Sequence, residues 1–165
     1  MGAGYSIRCS NCNCDYEKNL FAGVGMMFPK TYAEVMKKAR SGRISKEHTR
    51  FMKEHPDGAI NAEIEIYQCE ECGDLFTDYN LSMYIPRERV EKPSKKGIWS
   101  VSFPAEEAEY EVPWDLEENY ELVKYYQHKC PKCKGKANVV NNIDHVNKKC
   151  PKCGSNLIVD FLLWD

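Results

Sequence analysis

Cys130-Pro-Lys-Cys133 and Cys150-Pro-Lys-Cys-Gly154 are the stretches on which the reading of this chain turns. Each places two thiols on one tight turn, and 16 residues lie between Cys133 and Cys150. A tetrahedral metal ion with Zn–S distances near ~2.3 Å can take two thiolates from one such turn and two from another. The interval is long enough for a strand out and a strand back. Gly154, directly behind the second pair, lets the backbone turn without a Cβ and aims amide N–H groups at the sulfurs. At the same place behind the first pair stands Lys134, with Gly135 one residue later. That turn is expected to be slightly irregular.

Two more pairs, Cys9/Cys12 and Cys69-Glu-Glu-Cys-Gly73, lie in the first half of the chain with 56 residues between them. The expected ligands are therefore Cys9, Cys12, Cys69, Cys72, Cys130, Cys133, Cys150 and Cys153. Sequential pairing is expected, 9/12 with 69/72 and 130/133 with 150/153, because shorter loops cost less closure entropy. The ninth cysteine, Cys14, is expected to be a small packed residue; a reactive thiol or a substitute for Cys12 are the alternatives. Two Zn²⁺ ions per chain follow from complete sets of thiolates. Iron in a rubredoxin-like site competes chemically, since softness alone does not separate the two metals. Four thiolates leave no open position for water, which argues against metal hydrolysis at either site. Phosphate-binding, dinucleotide, zinc-protease and nucleophile-elbow motifs are absent from the sequence. Catalysis is left open by the sequence and favoured by none of its motifs.

The Cys-Pro-Lys-Cys-Gly run at 150–154, paired with Cys-Pro-Lys-Cys at 130–133, resembles the zinc ribbon group over about residues 124–164. In that group knuckles on two β-hairpins clamp one zinc. The likeness extends to Cys9/Cys12 and Cys69–Gly73, where the long gap implies a helical insertion. The whole chain resembles uncharacterised bacterial proteins with paired zinc ribbons. The resemblance implies an α+β fold of two zinc-ribbon-type β modules, the first carrying a short two-helix insertion.

The modules expected are 1–85 and 98–165, joined by a polar linker at 86–97 that holds two prolines and seven charged residues. After the first knuckle, Tyr16–Gly25 leads to a helical pattern opened by Pro29, with Tyr32, Val35, Met36 and Ala39 on one side. Gly42 stands just past its end. Ser45 can cap a second helix bearing Phe51 and Met52, with His55 as a residue at its C-terminus. Ile60, Ala62, Ile64 and Ile66 alternate with polar residues as one strand running into Cys69. Leu81, Met83 and Ile85 alternate again, as do Trp99, Val101 and Phe103. Asp115–Glu118 has the form of a capping box for a helix with Leu116, Tyr120 and Val123 on one face. Leu157–Trp164 is apolar enough for a buried strand. His128 is expected on a strand facing solvent.

The chain has 165 residues, with 23 Lys+Arg against 25 Asp+Glu. It shows neither a membrane span nor a signal peptide, and a cytoplasmic location is expected. Eight lysines fall within 124–153 and eight acidic residues within 105–121. The lysines suggest contact with nucleic acid through Lys132, Lys134, Lys136, Lys148, Lys149 and Lys152. A chain pI near 6.1 weighs against a dedicated nucleic-acid binder. The reading favoured is a non-enzymatic zinc-binding interaction or adaptor protein whose partner is another protein. A nucleic-acid-binding accessory factor and a thiol redox protein are the alternatives.

Overall fold

A computed structural model describes residues 2–11, 13–24, 28–87, 116–146 and 148–164. The chain divides into two compact units, and neither is contiguous. The first comprises Met1–Met26, Glu63–Asn80 and Gln127–Asp165; the second comprises Met27–Ala62 and Leu81–Tyr126. Each unit thus draws on both halves of the chain. Most of the expected linker (88–97), the expected strand around Trp99, Val101 and Phe103, and acidic residues 105–115 lie outside the described residues.

The first unit is an antiparallel sheet. β1 (Gly2–Cys9) lies between β2 (Glu17–Gly23) and β9 (Leu157–Trp164). Tyr5 sits opposite Leu20 on one side and Phe161 on the other. The apolar C-terminal run is therefore a strand, but not the buried one expected: Leu157 is buried while Phe161 is 63% exposed. β4 (Ile64–Cys69) pairs with β5 (Leu75–Tyr79) and with the short β8 (Ala137–Val139). β4 also meets β2 at Gly23 and Ile64. Period-two alternation points Ile7, Leu20, Ile66, Leu75 and Leu157 into one core, which also receives Cys9 and Cys150. Ile7 and Leu75 are fully buried.

One expected strand is two. The Ile60–Ile66 alternation is broken after β3 (Ala59–Ile60), and β4 starts only at Ile64. The break is where the chain passes from the second unit to the first. All of Ile60, Ala62 and Ile66 are buried, so the alternation was real; two separate sheets use it.

The second unit contains α1 (Phe28–Arg40), α2 (Lys46–Glu54) and a sheet in which β6 (Met83–Pro86) lies between β3 and β7 (Tyr120–Lys124). Tyr32, Val35, Met36 and Ala39 recur at helical spacing and are buried. Gly42 follows α1 in the left-handed region (φ +79°). Ser45 caps α2, its hydroxyl accepting from the N–H of His48. His48 itself is fully buried, with one ring nitrogen on the Ser45 hydroxyl and the other on the Leu81 carbonyl. The helix expected from the 115–118 capping box is only one turn, α3 (Leu116–Asn119), before β7 begins. Leu116 and Tyr120 are buried while Val123 is 48% exposed, so strand pairing with β6 overrode the helical pattern. Among the described residues no helix is long and apolar enough to cross a membrane.

Candidate metal centre

Two four-cysteine clusters lie in the first unit, each built from one β-hairpin and one knuckle. Cys69, at the end of β4, and Cys72, in the turn to β5, meet Cys130 and Cys133, in the turn ahead of β8. Cys9, at the end of β1, and Cys14, in the turn to β2, meet Cys150 and Cys153, in the turn ahead of β9. Within each cluster the sulfurs lie within 4.8 Å of one another.

The separations suit a metal better than a disulfide. A tetrahedron with metal–sulfur distances near ~2.3 Å has edges of about 3.8 Å, whereas a disulfide requires about 2.05 Å. Cys69 and Cys133 lie 3.4 Å apart and Cys72 and Cys130 3.7 Å apart. Cys9 and Cys153 lie 3.4 Å apart and Cys14 and Cys150 3.7 Å apart. Both clusters can therefore hold a metal ion.

The two sites repeat one hydrogen-bond pattern. Ser10 N–H donates to the Asn156 carbonyl and Glu70 N–H to the Lys136 carbonyl, both at 2.9 Å. Cys9 is in register with Leu157, and Cys69 with Ala137. In both cases the partner stands four residues after the second knuckle cysteine. Cys150 N–H donates to Ser155, and Cys130 N–H to Gly135. Three of the four turns are closed by a residue in the left-handed region: Gly73 (φ +69°), Lys134 (φ +66°) and Gly154 (φ +74°). The knuckle expected to be irregular at Lys134 is thus regular, with lysine in the place of glycine. The internal repeat extends beyond the C-x-x-C motifs themselves.

This repeat explains Cys14. Cys69 N–H donates to the carbonyl of Asp74, and Cys9 N–H to that of Tyr16. Cys72 and Cys14 each stand two residues before that acceptor, so Cys14 is the counterpart of Cys72. The first hairpin is two residues longer, which places Cys14 at the position that Cys72 holds in the other. Expected as a packed residue, Cys14 instead joins the tetrad; the signal was its distance from the return strand rather than from Cys9. Cys12 lies outside the described residues.

Sequential pairing of the knuckles is also corrected. Residues 9/14 meet 150/153, and 69/72 meet 130/133. Strand registers decide this: eight residues of β1 pair with β9, and β4 pairs with β8.

The hairpins are tied where they turn. Tyr16 and Asp74 occupy equivalent positions, and the buried Tyr16 hydroxyl donates to the Asp74 carboxylate (3.0 Å). Lys18 donates to the same carboxylate at 2.9 Å. Burial and then the Asp74 charge push the Tyr16 phenol upward. His128 is likewise not on a wet face. It is 2% exposed, its ring centroid lies 4.0 Å from that of Tyr67, and its Nε2 donates to the Asn80 carbonyl.

Protons are unequally held within each tetrad. Burial pushes Cys9 and Cys72 up to about 12, with neighbouring thiols adding to the rise. At Cys69 burial also raises, yet the N–H groups of Cys72 and Glu71 outweigh it and bring the thiol down to about 7. The Ser155 hydroxyl and N–H bring Cys153 down to about 6. Each tetrad therefore offers a ready thiolate beside thiols that a cation must deprotonate.

Of the six lysines expected to contact nucleic acid, three face carboxylates: Lys136 with Glu70, Lys148 with Asp144, and Lys152 with Asp15. Lys149 donates to Asn156 and Lys134 to the Pro131 carbonyl. Comparison with family models, curated proteins and solved structures finds no match for the chain.

Proposed function

We propose that the chain is a non-enzymatic interaction protein whose first unit is a pair of interleaved, zinc-ribbon-type hairpins, each tetrad holding one structural Zn²⁺. The observation that carries this reading is the duplicated tetrad, with equal sulfur separations and equal strand register at both sites. Four thiolates complete a tetrahedron, so the metal's role is to join chain segments. It links residues 9 and 153 at one site and 69 and 133 at the other. A small unit gains folding free energy from such a link on the order of 10 kcal/mol per ion. The proposed partner is another protein. Intramolecular pairing of Lys136, Lys148 and Lys152 with carboxylates supports that choice over nucleic acid.

Metal content of purified variants tests the ligand sets. The native chain should carry two zinc ions, Cys14→Ser and Cys72→Ser one each, and Cys12→Ser two. Loss of an ion in Cys12→Ser with retention in Cys14→Ser would overturn the assignment. A red ferric-thiolate spectrum in fresh protein would replace zinc by iron.

A further inference from the structure

β9 forms one edge of the first unit's sheet, and among the described strands it pairs with β1 alone. That ladder runs eight residues without a shift of register. Edge strands are ordinarily guarded by lysine, proline, a bulge or shortness, because their outward N–H and C=O groups invite another strand. The run Leu-Ile-Val-Asp-Phe-Leu-Leu-Trp has neither lysine nor proline. Its one charge, Asp160, is faced by Arg8 at 3.5 Å. β5, at the other edge of the sheet, has only five residues. Hydrogen-bond parity shows which backbone groups of β9 point outward. Cys9 N–H donates to Tyr16 on the β2 side, and Ser10 N–H to Asn156 on the β9 side. By alternation Ile158, Asp160 and Leu162 turn their backbone groups to β1. Leu157, of the opposite parity, donates outward to the Lys148 carbonyl. Val159, Phe161 and Leu163 share that parity, so their N–H and C=O groups face away from β1. On the same parity, Leu157 and Val159 pack on the core. Phe161 lies past the end of that core and stays 63% exposed, although its ring meets Tyr5 edge-on.

We propose that β9 pairs antiparallel with β9 of a second copy of this chain, about a two-fold axis at Phe161. A two-fold pairing must match the outward groups with themselves. Only an axis at Phe161 carries the set Val159, Phe161 and Leu163 onto itself: Phe161 meets its own copy, and Val159 meets Leu163 in both directions. An axis at Val159 would direct bonds to Leu157, whose N–H is already given to Lys148. An axis at Asp160 would set two carboxylates opposite each other, which is unfavourable across a strand pair. With the axis at Phe161, Asp160 comes opposite Leu162 instead. The two Phe161 side chains then leave one face of a continuous sheet from Cα atoms about 5.5 Å apart. Aromatic residues placed directly opposite each other in this way are a favoured cross-strand pair. The pairing follows from strand geometry and does not depend on which metal the tetrads hold.

The test uses the full chain in analytical ultracentrifugation. At about 100 μM a species of twice the 19.1 kDa chain mass is expected, dissociating on dilution. Phe161→Lys and Phe161→Glu each set two like charges together at the axis and should give the single chain mass. An equal mixture of these two variants should restore the doubled mass, because opposite charges then meet at the axis. Val139→Lys, at another exposed apolar side chain of the unit, should leave the dimer intact. Circular dichroism of each variant should match that of the native chain, since so exposed a ring supports little of the core. Should a charged variant fail to fold, Phe161→Ser removes the ring pair without adding charge and should weaken association at least about tenfold. A native chain of single mass at every concentration, a dimer that withstands Phe161→Lys, a mixture of the two charged variants that stays at the single mass, or loss of the dimer in Val139→Lys would each overturn the proposal.

Discussion

Lys134 occupies the position that glycine fills in the sister knuckles, and replacing it should stabilise the protein. Its φ is +66°, against +69° for Gly73 and +74° for Gly154. A left-handed conformation costs an ordinary L-residue about 1–2 kcal/mol because Cβ crowds the following carbonyl. Glycine avoids that cost but loses about 0.5–1 kcal/mol through the greater freedom of its unfolded chain. Lys134 also donates to the Pro131 carbonyl at 3.1 Å on an exposed surface, a bond that contributes little. The net expectation for Lys134→Gly is a gain of about 0.5–1 kcal/mol. For a chain of this size that raises Tm by about 2 °C. Gly154→Lys, the reverse change in the other knuckle, should lower it by a similar amount, since nothing lies within 4 Å of a Cβ there to add a clash. Thermal unfolding of the metal-loaded variants reads both. A lower Tm for Lys134→Gly, or no change for Gly154→Lys, would refute the equivalence of the knuckles.

Asp74→Ala leaves the buried Tyr16 hydroxyl without its acceptor, while the part-exposed Lys18 keeps the Leu75 carbonyl; a loss of about 1–3 kcal/mol is expected in chemical denaturation. Asp74→Asn, which keeps an acceptor for Tyr16, should cost less, and equal losses would contradict the hydrogen-bond argument. Zinc binding should release protons. Cys9 and Cys14 in one tetrad, and Cys72 and Cys133 in the other, are held above the ordinary thiol value and are protonated at pH 7.5. Calorimetry in buffers of different ionisation enthalpy should find at least about two protons released per ion. Binding must therefore weaken as pH falls, because protons and metal compete for the same sulfurs; a pH-independent affinity would contradict this.

The local chemistry was legible in the sequence and the long-range pairing was not. Seven of the eight cysteines brought together were read from C-x-x-C spacing, since a knuckle is closed by bonds within five residues. Pairing is a tertiary matter. Loop-closure entropy favours sequential partners by only about 1–2 kcal/mol, because the cost grows with the logarithm of length. The register of β1 against β9 outweighs it, and no short-range signal announces that register. Cys14 was missed because spacing was counted forward from Cys9; counted back from Tyr16 it matches Cys72. The Ile60–Ile66 alternation concealed a change of sheet because both sheets bury the same parity of residues. His128 was read as a residue facing solvent because its acceptor, the Asn80 carbonyl, lies 48 residues away.

X-ray absorption at the zinc edge of protein purified without added metal tests the central claim most directly. The account requires two ions per chain and a first shell of four sulfurs at about 2.3 Å, with no nitrogen or oxygen ligand. A shell of three sulfurs with a lighter atom, or fewer than two ions per chain, would contradict the pair of complete tetrads.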